Sequence, residues 1–320
     1  MNQLAIAPEF FRPDGFERGR VHRLRLTAGV QAIPVLLVRG GAPGKTLAVT
    51  AGVHGDEYEG VRAILETVAS LDPRAMRGDL LAVPIAHPAA FWAARRTSPL
   101  DELNLARVFP GDSAGKPTEI IAAALAEAVI GHADFYLDLH SGGIAYAMPA
   151  MAGYDASDER SAAAARIFGA ETTWGHAVIA PGRTISFAHA RGIPWIYTEA
   201  RGAARIDQDD LGMMKRGILN LLCHLGILPG EPAVRPIRYK LSGDGDTDRG
   251  ISAGHEGFLL NHVRLLEEVT ECQRLGVLVD VLGEPMEEYR APRSGTVALI
   301  HEFPVVKPGD SLYLIADRER

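Results

Sequence analysis

Cysteine is nearly absent. The 320 residues carry two, Cys223 and Cys272, too few and too far apart for a disulfide framework, so a reducing, cytoplasmic setting is the expectation. Basic tracts are also missing: the nearest approach is the lone pair Arg95-Arg96, and the net charge is −7. A chain that cannot neutralise a run of phosphates is not expected to have a nucleic-acid partner. No apolar run is long enough to span a bilayer, and the opening MNQLAIAPEFFRPDG has neither a basic n-region nor a long apolar stretch. Neither a membrane association nor a secretory signal is therefore expected. What is present is an ordinary globular composition, 47% hydrophobic and 23% charged, in a chain long enough for one large domain with or without a small appendage.

Periodicity divides the chain at a proline-rich stretch, Pro229 to Pro236. Before it, residues 1 to about 45 read as a β-rich lead-in closed by Gly40-Gly41-Ala42-Pro43-Gly44. A strand at Leu47 to Val49, a helix over 58–71 and a strand over 80–86 follow. Further on come a helix over 118–130, a strand at 135–139 (FYLDL), a helix over 161–173, a strand over 193–198 and a helix over 209–228. Strand and helix in alternation predict an α/β fold, a mixed or parallel sheet flanked by helices. Beyond residue 230, short β-like runs between Gly and Pro turns predict a small C-terminal β domain, giving domains of 1–229 and 230–320. The segments 291–297 and 306–312 look like the two turns of a biotinyl/lipoyl-like module. No lysine stands where such a module carries its swinging group, so this part reads as a wall or lid.

Four residues at or just beyond strand ends suggest chemistry. In LAVTAGVHGDEYEG, His54 and Glu57 have two residues between them and can face one ion, although an acid-rich helix start would look the same. His140 follows the FYLDL strand, and ligands of open α/β sheets bind beyond the carboxyl ends of strands. Two imidazoles and one carboxylate with a position left for water form the ligand set of a hydrolytic zinc site, here one zinc ion per chain on His54, Glu57 and His140. Asp138 points to the same side as His140 and is either its orienting partner or a structural strand-end acid. Glu199, after the strand in GIPWIYTEAR, is placed for general base and acid catalysis; a surface glutamate would look no different. The irregular stretch 87–111, rich in aromatic and apolar residues, reads as an ordered functional loop.

Taken in series, GVHGDEYEG, PIAHPAAF, NLARVFPG, DLHSGG and YTEARG resemble the succinylglutamate desuccinylase/aspartoacylase family, distant relatives of the zinc carboxypeptidases. The motifs cover most of residues 46–202, and the β-rich tail resembles the extra C-terminal domain of that family. The resemblance implies zinc on His54, Glu57 and His140, Glu199 as catalytic acid/base, and hydrolysis of the amide of a small N-acyl amino acid or related amine. It also implies substrate contacts from Arg107 and Asn104, with Ala106 standing where the family often has an asparagine beside the arginine, which removes one directional donor. Arg96 corresponds to an arginine that polarises the scissile carbonyl, unless it is a solvated loop charge. His87 replaces an asparagine common in the family and reads as structural. Arg201 and Arg205 are expected to pair with Asp207, Asp209 and Asp210 rather than serve the cleft.

A carboxypeptidase-like peptidase and a catalytically silent small-ligand binder are the alternatives to a deacylase. The retained Glu199 speaks against the second, because binding alone needs no proton shuttle. The expected partner is a small-molecule N-acyl substrate, and a homo-oligomer is compatible with the sequence.

Overall fold

The computed structural model describes residues 4–243 and 245–319. Met1 to Gln3, at the start of the β-rich lead-in, lie outside them, as do Asp244 and Arg320 of the tail. Along the centre of a 15-stranded mixed sheet the order is Gln31–Arg39, Arg77–Val83, Ala42–Ala51, Phe135–Leu139, Trp195–Glu199, Met151–Asp155 and Thr172–His176. Ala42–Ala51 is parallel to both its neighbours, and Phe135–Leu139 is parallel to Trp195–Glu199. Gln31–Arg39 and Met151–Asp155 run antiparallel to their partners Arg77–Val83 and Trp195–Glu199.

Strand alternation sorts the core into two layers. Leu47, Val49, Ala51, Leu137 and Leu139 face the helices Glu59–Ser70, Glu159–Phe168 and Gln208–His224, whose Val61, Ile64, Phe168 and Leu221 complete that layer. Ala48 and Tyr136 face the other way, onto Ile121 and Leu125 of the helix Pro117–Ala128. From Ala42–Ala51 the chain turns to Arg77–Val83 on one side and later returns to place Phe135–Leu139 on the other. That reversal opens a crevice beyond the carboxyl ends of these strands.

The periodic helices lie close to their expected bounds, but the one expected over 161–173 ends at Phe168. Gly169 takes a left-handed φ of 91°, which stops the helix, and Thr172–His176 is a strand. The Gly-rich segment expected to break the chain at 40–44 instead enters the strand Ala42–Ala51 through a register shift between Ala42 and Thr46. In the tail, Gly257–Asn261, Arg274–Val279, Pro285–Arg290 and Val305–Val306 form a four-stranded antiparallel sheet. Tyr239–Ser242 pairs with both Thr172–His176 and Ser311–Arg318, so the large sheet continues into the tail strands. No helix among the described residues is long and apolar enough to cross a membrane.

Candidate metal centre and cleft

Three parallel strands deliver the expected residues to one place. After Ala51 the chain turns through Gly52 (φ 60°) and presents His54; Glu57 stands just before the helix Glu59–Ser70. Gly55, between them, leaves no room for a side chain: a Cβ there would lie 2.0 Å from the Ala90 carbonyl carbon, and its N–H donates to Arg95 O at 2.9 Å. The H-x-x-E turn is thus pressed against the segment that carries Arg96. His140 follows Phe135–Leu139, held between neighbouring backbones by its N–H on Thr198 O (2.9 Å) and its carbonyl under the Ala200 N–H (3.1 Å). Glu199 ends Trp195–Glu199.

His54, Glu57 and His140 each offer one ligand atom, all within 4.8 Å of one another. Glu57 bridges the rings: Oε1 lies 2.7 Å from His54 Nδ1 and Oε2 lies 3.0 Å from His140 Nδ1. The far nitrogens are also held. His140 Nε2–H donates to Asp138 Oδ2 at 2.9 Å, and His54 Nε2–H donates to Asn104 Oδ1 at 3.2 Å. Both rings therefore turn Nδ1 toward the same carboxylate, which is the donor set and orientation a divalent cation requires, with acceptors behind each histidine. Asp138 is itself fixed by Thr50 Oγ1–H at 2.6 Å and by Thr184 Oγ1–H.

Charge in the cluster follows from burial and crowding. Burial pulls the His54 imidazolium down, Arg96 adds to this, and Glu57 only partly offsets it, leaving a pKa of about 4. Burial would also lower His140, but Asp138 and Glu57 outweigh it and hold this ring protonated well above the usual histidine range. Glu57 stays ionised: burial would raise it, and the two histidines more than compensate. A cation would take the place of the proton on His140 Nδ1.

Glu199 shares this cleft with His54, His140 and Arg96, and its Oε2 is buried without a hydrogen-bond partner. Burial raises its carboxyl to about 8; Glu57 and Asp138 add to the rise, while His140 and Arg96 oppose it. Arg96 Nη1 lies 3.3 Å from both Glu57 Oε1 and His54 Nδ1. Asn104, expected to touch substrate, has Oδ1 between His54 Nε2 and the Ala106 N–H at 2.9 Å. Arg107 lines the cleft but is paired with Asp248. Arg201 pairs with Asp210 and Asp207 at 3.3 and 3.6 Å, the arrangement anticipated. His87 is fully buried.

Several cleft residues escaped the sequence reading: Thr50 and Thr184 behind Asp138, and His176, Tyr197 and Arg183 in the lining. His176 Nε2 and the Tyr197 hydroxyl are 2.8 Å apart, and Gly153 makes space for the Tyr197 ring, since a Cβ there would come within 2.0 Å of it. No local spacing marks these residues, because the strands that carry them meet only in the sheet. The tail contributes Gly245, Asp246 and Thr247 to the lining, a loop distinct from the two turns at 291–297 and 306–312.

Comparison with known proteins places this geometry. Residues 43–225 match the model of the succinylglutamate desuccinylase/aspartoacylase catalytic domain. The N-alpha-acetyl-L-2,4-diaminobutyric acid deacetylase of Halomonas elongata is 34% identical over 302 residues, 90% of this chain and 86% of the relative. Among solved structures, a succinylglutamate desuccinylase from a Silicibacter species is 30% identical with a TM-score of 0.84, covering 93% of this chain and 95% of that one. The product-bound ectoine utilization protein EutE of Ruegeria pomeroyi is 28% identical with a TM-score of 0.85, covering 94% and 96%. With more than half its length matched by the family model, the chain belongs to the succinylglutamate desuccinylase/aspartoacylase family and is an amide-cleaving deacylase of that family.

Proposed function

We propose that this chain is a zinc-dependent hydrolase of small N-acyl amino acids, with an N-α-acetyl diamino acid such as N-α-acetyl-2,4-diaminobutyrate as its leading substrate candidate. The observation that carries the reading is the convergence of His54, Glu57 and His140 within 4.8 Å beside the unpartnered, buried Oε2 of Glu199. His54, Glu57 and His140 would hold the ion, one per chain, which when bound polarises a carbonyl and acidifies water. Glu199 takes a proton from the attacking water and returns it to the departing amine, a role that suits a carboxyl whose affinity for protons burial has raised. Arg96 supplies a guanidinium N–H toward the oxygen on which negative charge develops. Asp138 and Asn104 keep both imidazoles turned the right way. The choice of a small substrate over a long peptide is supported by the tail residues Gly245, Asp246 and Thr247 in the cleft wall.

The test is release of free amine from N-α-acetyl-2,4-diaminobutyrate, N-acetylaspartate, N-succinylglutamate and short peptides, alongside metal analysis of the purified protein. Stoichiometric zinc, turnover of an N-acyl amino acid and loss of both in His54→Ala are expected. Peptide cleavage in preference to every N-acyl amino acid, or turnover undiminished by His54→Ala, would overturn the reading.

A further inference from the structure

Two aspartates of the tail already occupy the arginines that could hold a substrate carboxylate. Arg107 closes its fork on Asp248, Nε on Oδ2 at 2.8 Å and Nη2 on Oδ1 at 3.1 Å, while its Nη1 donates to Ala106 O at 3.0 Å. All three guanidinium nitrogens are committed. Arg183 Nη2 donates to Asp246 Oδ1 at 2.8 Å, and both partners are largely shielded from solvent. The same Asp246 oxygen accepts the Asp248 N–H at 3.1 Å, so a single short turn, Thr247–Arg249 with its cap, sets both carboxylates. Arg96, the remaining arginine of the cleft, is 3.3 Å from Glu57.

These pairings change what the cleft can recognise. An arginine whose fork is filled by a protein carboxylate offers no bidentate site to a ligand carboxylate until that aspartate leaves. Asp246, in the cleft wall, in turn places a negative charge where a cationic group is attracted. On the deacylase reading, on which this inference rests, we propose that Asp246 and Asp248 are specificity-determining residues: they neutralise Arg183 and Arg107, disfavour a substrate whose amino-acid side chain carries a carboxylate, and favour one whose side chain carries an ammonium. Discrimination by the repulsion of the wrong charge, as much as by attraction of the right one, is the general logic of such sites.

The experiment compares kcat/KM for N-α-acetyl-2,4-diaminobutyrate and N-acetylaspartate, similar in size and opposite in side-chain charge. The proteins are wild type, Asp246→Asn, Asp248→Asn and the double variant. Asparagine at 246 keeps the oxygen that caps Asp248, and a melting temperature close to wild type verifies the fold. Wild type is expected to prefer the diaminobutyrate compound, each single variant to move the ratio toward the aspartate compound by about tenfold, and the double variant by more, as loss of a cleft charge pair predicts. Arg183→Gln, which releases Asp246, moves the ratio the other way. Calorimetric binding of free 2,4-diaminobutyrate and free aspartate to wild type and the double variant supplies a readout independent of turnover. A binding preference that shifts in the double variant without turnover of any N-acyl amino acid would uphold the role of the aspartates while removing the activity. Turnover with a ratio unchanged by the double variant would overturn the inference and leave the activity standing.

Discussion

Asp138 Oδ2 lies 2.9 Å from Nε2 of His140, two residues further along the same chain. Strand alternation puts both side chains on one side, and the acid fixes which ring nitrogen bears the proton, so that Nδ1 faces Glu57. Asp138 is locked in turn by hydroxyls from two other segments, Thr50 and Thr184.

Replacing Asp138 by Asn keeps the shape but removes the charge that orients and polarises His140. The expected outcome is a metal affinity weaker by roughly 10–100-fold, measured by competition with a chromophoric chelator. An affinity equal to wild type would mean that Asp138 is only a buried strand-end acid.

Glu199→Gln is expected to retain metal while turnover falls by roughly 10²–10⁴, the range for loss of a general acid/base. It also changes stability in the metal-free protein. The folded carboxyl is raised to about 8 by burial, from 4.5 in its ordinary state, so the folded chain holds more protons between those values. This stabilising contribution is complete below pH 4.5 and is lost as pH rises through 8. Urea unfolding of metal-free wild type should therefore weaken over that window relative to Glu199→Gln, whose amide does not titrate; parallel curves for the two proteins would contradict the burial of the Glu199 carboxyl.

His87 acts in the opposite sense. Burial, only partly offset by Asp101, lowers its imidazole to about 4 from 6.5. The unfolded chain then binds the extra proton, so this stability is complete above pH 6.5 and is lost as pH falls through 4, up to about 3 kcal/mol for a shift of this size. His87→Leu is expected to flatten the acid limb of a stability–pH curve in that window. An acid limb as steep as in wild type would count against it.

Gly55 has no alternative residue. Alanine there would drive its Cβ into the Ala90 backbone, 2.0 Å away, between the candidate ligands His54 and Glu57. Gly55→Ala should cost about 1–3 kcal/mol as overpacking does, and also loosen metal binding because relief of the clash moves His54. A variant that unfolds at the wild-type urea midpoint with wild-type metal content would disprove the tight seating of this turn.

Legibility differed between elements for physical reasons. The helix of Val61, Ile64 and Val68 and the strand FYLDL announce themselves because their periods follow from backbone geometry within a few residues. The strand Thr172–His176 did not: of its five residues only Trp174 is a large apolar one, so no period marks it, and a turn beginning at the left-handed Gly169 separates it from the preceding helix. The three candidate ligands were found because each stands at the end of a readable strand or beside another ligand. The resemblance implies a substrate contact from Asn104; that its carbonyl also faces His54, fifty residues earlier in the chain, is visible only in the fold.

The sequence by itself determined many of the strands, most of the longer helices and the residues that stop at the carboxyl ends of those strands, since these are matters of short-range stereochemistry and of burying apolar faces. Tertiary structure decided what those ends meet. Strand order brought His54, His140 and Glu199 to one crevice, and a turn 141 residues from Arg107 set Asp248 against it. Such pairings depend on which distant segments the sheet and the tail bring within a few ångströms, and that information is held by the packing of the whole chain.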